Sequence, residues 1–206
     1  MKFTDFSGLQ ISEYIPSGKK IKLTTSDDKP VQFQIPRMYM PFGISGFTPE
    51  MGATKYNVDF AMKGWDEDDN FVKKFYEFLR NLEYTIIQDV EQQSTAIFGK
   101  QMDKEELKKL FNSNIKETPD REPKFRVKVD TNYTDNTIKF PIFDSNGNKV
   151  SGCVAEQGLY SRHSGVGVVE LTSVYFLNRR FGLTWRFTQL KVFEPQRLKG
   201  FHFQLD

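Results

Sequence analysis

The stretch that most constrains this chain runs from Val166 to Phe193. Two arms rich in β-branched and aromatic residues, Val166 to Phe176 and Leu183 to Phe193, flank a short join that carries Asn178 and Gly182. Those two residue types tolerate left-handed backbone angles, so the stretch predicts a β-hairpin. In the second arm Leu183, Trp185 and Phe187 alternate with Thr184, Arg186 and Thr188. After Gln189 the parity flips, and Leu190 and Val192 take the apolar positions. A one-residue parity shift inside a strand is what a β-bulge produces, and bulges bend strands so that a sheet can curl into a barrel. The hairpin is therefore expected to close a small curved sheet, with Trp185 on its core side.

A chain of 206 residues can bury one substantial core, or a core with an inserted subdomain. Twenty phenylalanines make aromatics the main packing material and leave some available as surface stacking faces. The net charge of +2 favours neither nucleic acid nor an acidic partner, but its distribution is uneven. Residues 121–206 carry 13 Lys and Arg against 8 Asp and Glu, whereas the first 120 carry 16 against 19. The single cysteine, Cys153, excludes an intramolecular disulfide framework and fits a reducing compartment. The N-terminus lacks the apolar run of a signal peptide and no stretch reaches membrane-span length, so a soluble intracellular protein without a membrane partner is expected.

Alternation and turn chemistry predict a hairpin from Lys19–Thr24 and Val31–Ile35 around Ser26-Asp27-Asp28-Lys29-Pro30. Arg37 to Pro49 reads as a loop rich in methionine and aromatics, and Tyr56 to Met62 as a strand. The period then becomes helical over Asp66–Leu82, behind an acidic first turn, and again over Ile86–Phe98. A third helix is expected over Lys104–Phe111, where Asp103 and Glu106 have capping-box spacing. Pro119 and Pro123 bracket a linker, after which strands resume at Lys124–Asp130, Ile138–Phe143 and near Val150, and Leu159–Val166 reads as a loop. Strands, helices and strands again suit an α+β domain, mainly β, in which a curved antiparallel sheet is interrupted by a helical insertion at about 66–118.

Catalytic options are few. Cys153 and His163 form a conceivable nucleophile pair without an identifiable orienting partner, and the other histidine is His202. Zinc spacing and phosphate-loop or dinucleotide fingerprints are absent. Asp66, Asp68, Asn70 and Glu77 echo a calcium loop, but Phe71 stands where that loop needs glycine, and a solvated helix start accounts for the acids. The chain is read as a non-enzyme needing no cofactor or metal.

The basic strands say more. Lys124, Arg126 and Lys128 alternate with Phe125, Val127 and Val129, so three cations leave one face of a strand. Lys139, Arg162, Arg179, Arg180, Arg186 and Lys191 add to them, with Tyr160 and Tyr175 interleaved. Cations that track phosphates beside rings that stack on bases are what sequence-tolerant single-strand binding requires. A solvated strand face is the bland alternative.

The segments Lys124-Phe-Arg-Val-Lys-Val-Asp130, Lys139-Phe-Pro-Ile-Phe-Asp144 and Trp185-Arg-Phe-Thr-Gln-Leu-Lys-Val-Phe193 resemble the single-stranded-DNA-binding proteins of nucleocytoplasmic large DNA viruses. These are distant relatives of the corresponding T-odd phage proteins. The likeness spans roughly residues 20 to 195 and rests on element order and these short stretches. It implies an oligonucleotide/oligosaccharide-binding (OB) barrel, a single OB-like domain over residues 1–206, that coats single strands in viral replication, recombination or repair. Lys124, Arg126 and Lys128, with Lys139 and Arg186, would hold the backbone; Tyr160, Arg162, Arg179, Arg180 and Lys191 complete the expected DNA-binding set. Single-stranded DNA is the implied partner, viral replication proteins and a second copy of the chain are further candidates, and the implied location is the host cytoplasm (viral factory) or nucleus. The phage proteins end in an acidic tail closed by an aromatic residue, whereas this chain reads Lys199-Gly-Phe-His-Phe-Gln-Leu-Asp206 with one acidic residue, a departure that leaves a tail-based partner switch without support from the resemblance. Two other readings stay open: a virion structural or scaffold protein using exposed Met38, Tyr39, Met40 and Phe42, and a small enzyme using Cys153 and His163.

Overall fold

The computed structural model describes residues 2–6 and 8–195, so His202 and the C-terminal Lys199–Asp206 stretch lie outside the described residues. Six strands come first: β1 (Leu9–Ile15), β2 (Lys20–Thr25), β3 (Val31–Gln34), β4 (Met38–Met40), β5 (Ile44–Phe47) and β6 (Lys55–Ala61). Three helices follow: α1 (Phe71–Gln92), α2 (Ser94–Phe98) and α3 (Lys104–Leu110). Next come β7 (Phe111–Asn112), β8 (Ile115–Thr118), β9 (Arg121–Val129), β10 (Ile142–Phe143) and β11 (Lys149–Val150). The two long strands β12 (His163–Leu177) and β13 (Arg180–Phe193) complete the set.

β12 and β13 form the expected hairpin, paired from Ser164–Phe193 to Leu177–Arg180. Its turn is Asn178-Arg179, both left-handed at φ 51° and 61°, which matches the strand twist. Gly182 serves a different purpose from the one expected. It lies within β13, where a Cβ would stand 2.8 Å from the Asn112 carbonyl oxygen, so its bareness lets β7 pair alongside. The parity flip is a bulge: Val168 pairs with Gln189 and Val169 with Phe187, leaving Thr188 unpaired. The Thr188 hydroxyl donates to the Val168 carbonyl at 3.1 Å and holds the bulge. A second bulge, at Thr172, is fixed the same way by a 3.3 Å hydrogen bond to the Thr184 carbonyl.

These bends let β12 serve β4 near its start, β3 midway and β2 near its end. β4 pairs β6, β6 pairs β9, β9 meets β13, and β13 returns to β12, which closes a five-stranded barrel. All of those pairings are antiparallel except β9–β13, a parallel seam made through Lys128 and Arg186. β1 extends β2, β5 lies on β6, β8 on β9, and β10 and β11 lie beyond β13. The core is aromatic. Trp185, 2% exposed, meets Phe33 and Phe125 edge-on at 5.4 and 5.5 Å, and Phe75 of α1 meets Phe125 at 5.4 Å. Each such pair contributes about 0.5–1.5 kcal/mol beyond area burial.

The helical run differs from expectation in its boundaries. α1 starts at Phe71, not Asp66, because Asn70 is the cap and accepts from the Val72 N–H at 2.8 Å. It also runs unbroken through 83–85, where there is neither glycine nor proline, and stops at Gln93. The Asp103–Glu106 capping box is present on α3. The expected linker is the turn of the β8–β9 hairpin, with Asp120 left-handed at φ 60°. Arg37–Pro49 contains two short strands, β4 and β5, that its prolines obscure. Of Ile138–Phe143 only Ile142 and Phe143 form a strand, since Pro141 has no N–H to give; its carbonyl accepts from Leu190.

Candidate functional site

The barrel's register places six residues side by side across five strands and the flanking β8. Phe193 pairs with Ser164, Ser164 with Tyr39, Tyr39 with Ala61, Ala61 with Lys124, and Lys124 with Lys116. Cross-strand partners share a face, so this is one row on the barrel exterior. Its order is aromatic, small, aromatic, small, cation, cation. Tyr39 is 44% exposed while its neighbours Met38 and Met40 are buried, so the methionines belong to the core and the tyrosine to the surface.

Beside this row is a groove of about 380 Å³ lined by Tyr39, Pro41, Phe42, Ala61, Lys63, Arg121, Glu122 and Lys124. Phe42 is 48% exposed, and the Lys124 ammonium stands 5.1 Å from its ring centre. At the other end of the row the Phe193 ring carries Arg37 at 4.0 Å and Lys191 at 5.4 Å. The Pro41–Phe42 segment is fixed from below. Gly43, left-handed at φ 58°, lies so close to the Leu159–Ser161 backbone that a Cβ there would clash, Ser161 Oγ donates to the Pro41 carbonyl at 3.0 Å, and the Arg162 N–H donates to Met40 O at 3.0 Å. That anchoring brings exposed Arg162 beside the same segment.

Lys116 and Lys124 face each other directly, and like charges at such positions are destabilising unless something anionic separates them. Burial, then the nearby Arg126 guanidinium, pushes the Lys116 ammonium below its ordinary pKa, and it donates to the Ser113 carbonyl.

The other sequence-derived candidates divide. Arg126 is bidentate to buried Asp59 at 2.7 and 2.8 Å, which holds its pKa above the ordinary value. Lys128 binds Asp130 at 2.6 Å, and Arg186 binds Glu170 at 2.8 Å. These three cations share the outer surface, yet each already has a carboxylate. Lys139 is exposed on the segment before β10. Arg180 donates to Asn112 at 3.3 Å, and Arg179 stands at the hairpin tip beside Phe98 and Phe176. Tyr160 is half-buried, its hydroxyl 3.4 Å from Cys153 Sγ; burial, then that contact, raises its pKa.

That contact also bears on the nucleophile pair. Tyr160 sits between the two groups, touching Cys153 through its hydroxyl and His163 ring to ring at 5.7 Å, while His163 Nδ1 faces Ser161 O at 3.0 Å. In the acidic turn, Asn70 caps α1 and Asp68 pairs with Lys73 at 2.6 Å. Among the described residues no His, Cys, Asp and Glu cluster is arranged to hold a metal ion, and no helix is long and apolar enough to cross a membrane. The sequence pattern did not mark Lys63, Arg121 and Phe193, and it placed Tyr39 and Phe42 only among the exposed contacts of a scaffold protein, together with Met38 and Met40, which are buried. The usable signal was the Met38-Tyr39-Met40 alternation between Pro36 and Pro41.

A closed barrel of five strands in this order, with the helices between its second and third strands, is an OB-like fold. No family model matches the chain, and no curated protein matches its sequence. Among solved structures it is similar to gp2.5, a single-stranded DNA binding protein encoded by bacteriophage T7. The identity is 14% and the TM-score 0.50, over 83% of this chain and 90% of that one. A single-stranded DNA-binding protein from bacteriophage Enc34, solved in complex with ssDNA, aligns over 94% of this chain and 99% of its own at 8% identity and a TM-score of 0.44.

Proposed function

We propose that this protein binds single-stranded DNA without sequence preference and coats it during viral replication, recombination or repair, acting without catalysis. The observation that carries the reading is the exterior row Phe193–Ser164–Tyr39–Ala61–Lys124–Lys116 with its groove. The small residues leave room between rings on which unpaired bases can stack, and the lysines at the end of the row supply charge for phosphates. Duplex hides base faces, so a surface built from ring faces favours single strands. The OB-like fold supports the reading, because in such barrels the faces of the second and third strands and the loop between the first two take oligonucleotides. Here those are β6, β9 and the segment holding Phe42. The sequence likeness favours a nucleocytoplasmic large DNA virus as the source. The host cytoplasm or nucleus follows as the location, and replication proteins as further partners.

The test is retention on labelled poly-dT at low and high salt with duplex of equal length as competitor. The expected result is tight binding that weakens steeply with salt and resists duplex, because neutralised phosphates release counterions. Absence of binding at low salt, or equal competition by duplex, would overturn the reading.

A further inference from the structure

A second groove, of about 650 Å³, opens at the far end of α1 from the row just described. Its apolar lining comes from Ile97, Phe98, Phe176 and Leu177, and Leu177 is 60% exposed. Lys19 and Arg179 stand at its edge, both exposed and both left-handed, and neither has a carboxylate partner among the described residues. An apolar floor with a cationic rim fits an acidic segment that carries an apolar side chain.

The chain itself presents such a segment. Asp66, Glu67, Asp68 and Asp69 are all exposed, and Phe71, which follows them at the start of α1, is 45% exposed. Asp68 is engaged by Lys73 and Glu67 by Asn70, which leaves Asp66 and Asp69 without a partner among the described residues. The two features lie at opposite ends of one rigid element. α1 spans 22 residues, about 33 Å, and its last turn is tied to the second groove through Gln93, whose side chain accepts from the N–H of the groove residue Tyr14 at 2.7 Å.

We infer that the second groove is a self-association site, in which the Asp66–Phe71 segment of one copy docks between Lys19 and Arg179 of the next. Because the two surfaces differ, the contact is head to tail and adds copies along the direction of α1. The inference rests on the coating role only for its purpose; the contact itself needs no DNA.

Sedimentation of the full chain without DNA, at low and high salt, tests it. The wild type should show a weight-average mass that rises with concentration at low salt and falls back towards the monomer at high salt. Lys19→Glu with Arg179→Glu in one variant, and Asp66→Lys with Asp69→Lys in another, should each weaken self-association roughly ten-fold or more. An equimolar mixture should recover it, since reversed groove then meets reversed segment. Lys19→Gln with Arg179→Gln, a milder change at the same exposed turns, should weaken it less, with unchanged circular dichroism. A wild type that stays monomeric at every concentration overturns the inference. So does a groove variant that loses association while the acidic-segment variant keeps it, which would mean another occupant. A groove variant that loses poly-dT retention with association intact overturns it too, assigning the groove to nucleic acid. Monomeric wild type that still binds poly-dT refutes only the docking; associating wild type that ignores poly-dT refutes only the strand reading.

Discussion

Two sets of cations lie on the outside of this barrel and differ in what faces them. Arg126, Lys128 and Arg186 sit around the β9–β13 seam, each against its own carboxylate, and Asp59 and Glu170 are the more buried members of their pairs. Lys63, Arg121 and Lys124 surround the Tyr39–Phe42 groove, and among the described residues none of them forms an ion pair. The first set ties neighbouring strands rather than the seam itself: Arg126–Asp59 joins β9 to β6 and Arg186–Glu170 joins β13 to β12, while Lys128–Asp130 stays within one segment. The second set, on the proposed function, is the one available to phosphates. Charge on a strand face is thus informative about binding only once its partners are known.

Charge reversal at the groove should have the largest effect. Lys63→Glu, Arg121→Glu and Lys124→Glu together should lower poly-dT affinity by roughly 100-fold or more at low salt. They should also flatten the salt dependence, by about 0.7 in log–log slope for each phosphate that is no longer neutralised. Equal loss from reversing Arg126, Lys128 and Arg186 in a chain that remains folded would erase the distinction. Next in size, Tyr39→Ala should cost about 1–3 kcal/mol of binding, as removal of a stacking platform does, while Tyr39→Trp keeps it. Fluorescence titration with oligo-dT reads both.

On the paired side the effect should move from binding to stability. Arg126→Ala strands the Asp59 carboxylate, which is 8% exposed, and should cost roughly 1–3 kcal/mol in urea unfolding, less than a fully buried pair because Arg126 itself is about half exposed. Its effect on poly-dT affinity should be smaller than that of Lys124→Ala. The smallest effect concerns Glu83, a buried carboxyl whose nearest cation, Arg80, is 4.0 Å away. Burial raises its pKa against the hydrogen bonds from Ser113 and Asn114. Between the ordinary glutamate value and the raised one, the folded state binds more protons than the unfolded state, so Glu83 makes stability fall as pH rises through that window. Glu83→Gln should remove that contribution, and the stability difference between variant and wild type should therefore change with pH in the variant's favour as pH rises.

What could be read from the chain follows the same division. The Trp185 core, the Thr188 bulge and the outward Lys124–Arg126–Lys128 face were legible because alternation reports which side of a strand a residue takes. Alternation does not report who stands opposite. The pairing of Arg126 with Asp59 joins residues 67 apart in sequence, and no local pattern contains it. The groove was missed for a related reason: β4 has three residues between prolines, too short for a strand signal, and its tyrosine matters only because β12 and β6 arrive on either side. The helix boundaries failed at Asn70, where a cap outweighed the acidic residues before it.

The final hairpin has a consequence for how the molecule is made. β12 supplies the partner for β2, β3 and β4, which lie more than a hundred residues earlier, and β13 supplies the partner for β9 and β10 through Arg186–Lys128 and Leu190–Ile142, so the last of the described strands to leave the ribosome complete sheet edges begun long before them. Pairings of such sequence separation are slow to form. Until residues 163–193 emerge, β2, β3, β4, β7 and β9 lack these partners and present unfilled edges of the kind that recruit other chains. Synthesis therefore passes through an interval in which residues 1–162 exist and the barrel does not, and a chain truncated before β12 would be expected to aggregate rather than persist as a smaller domain.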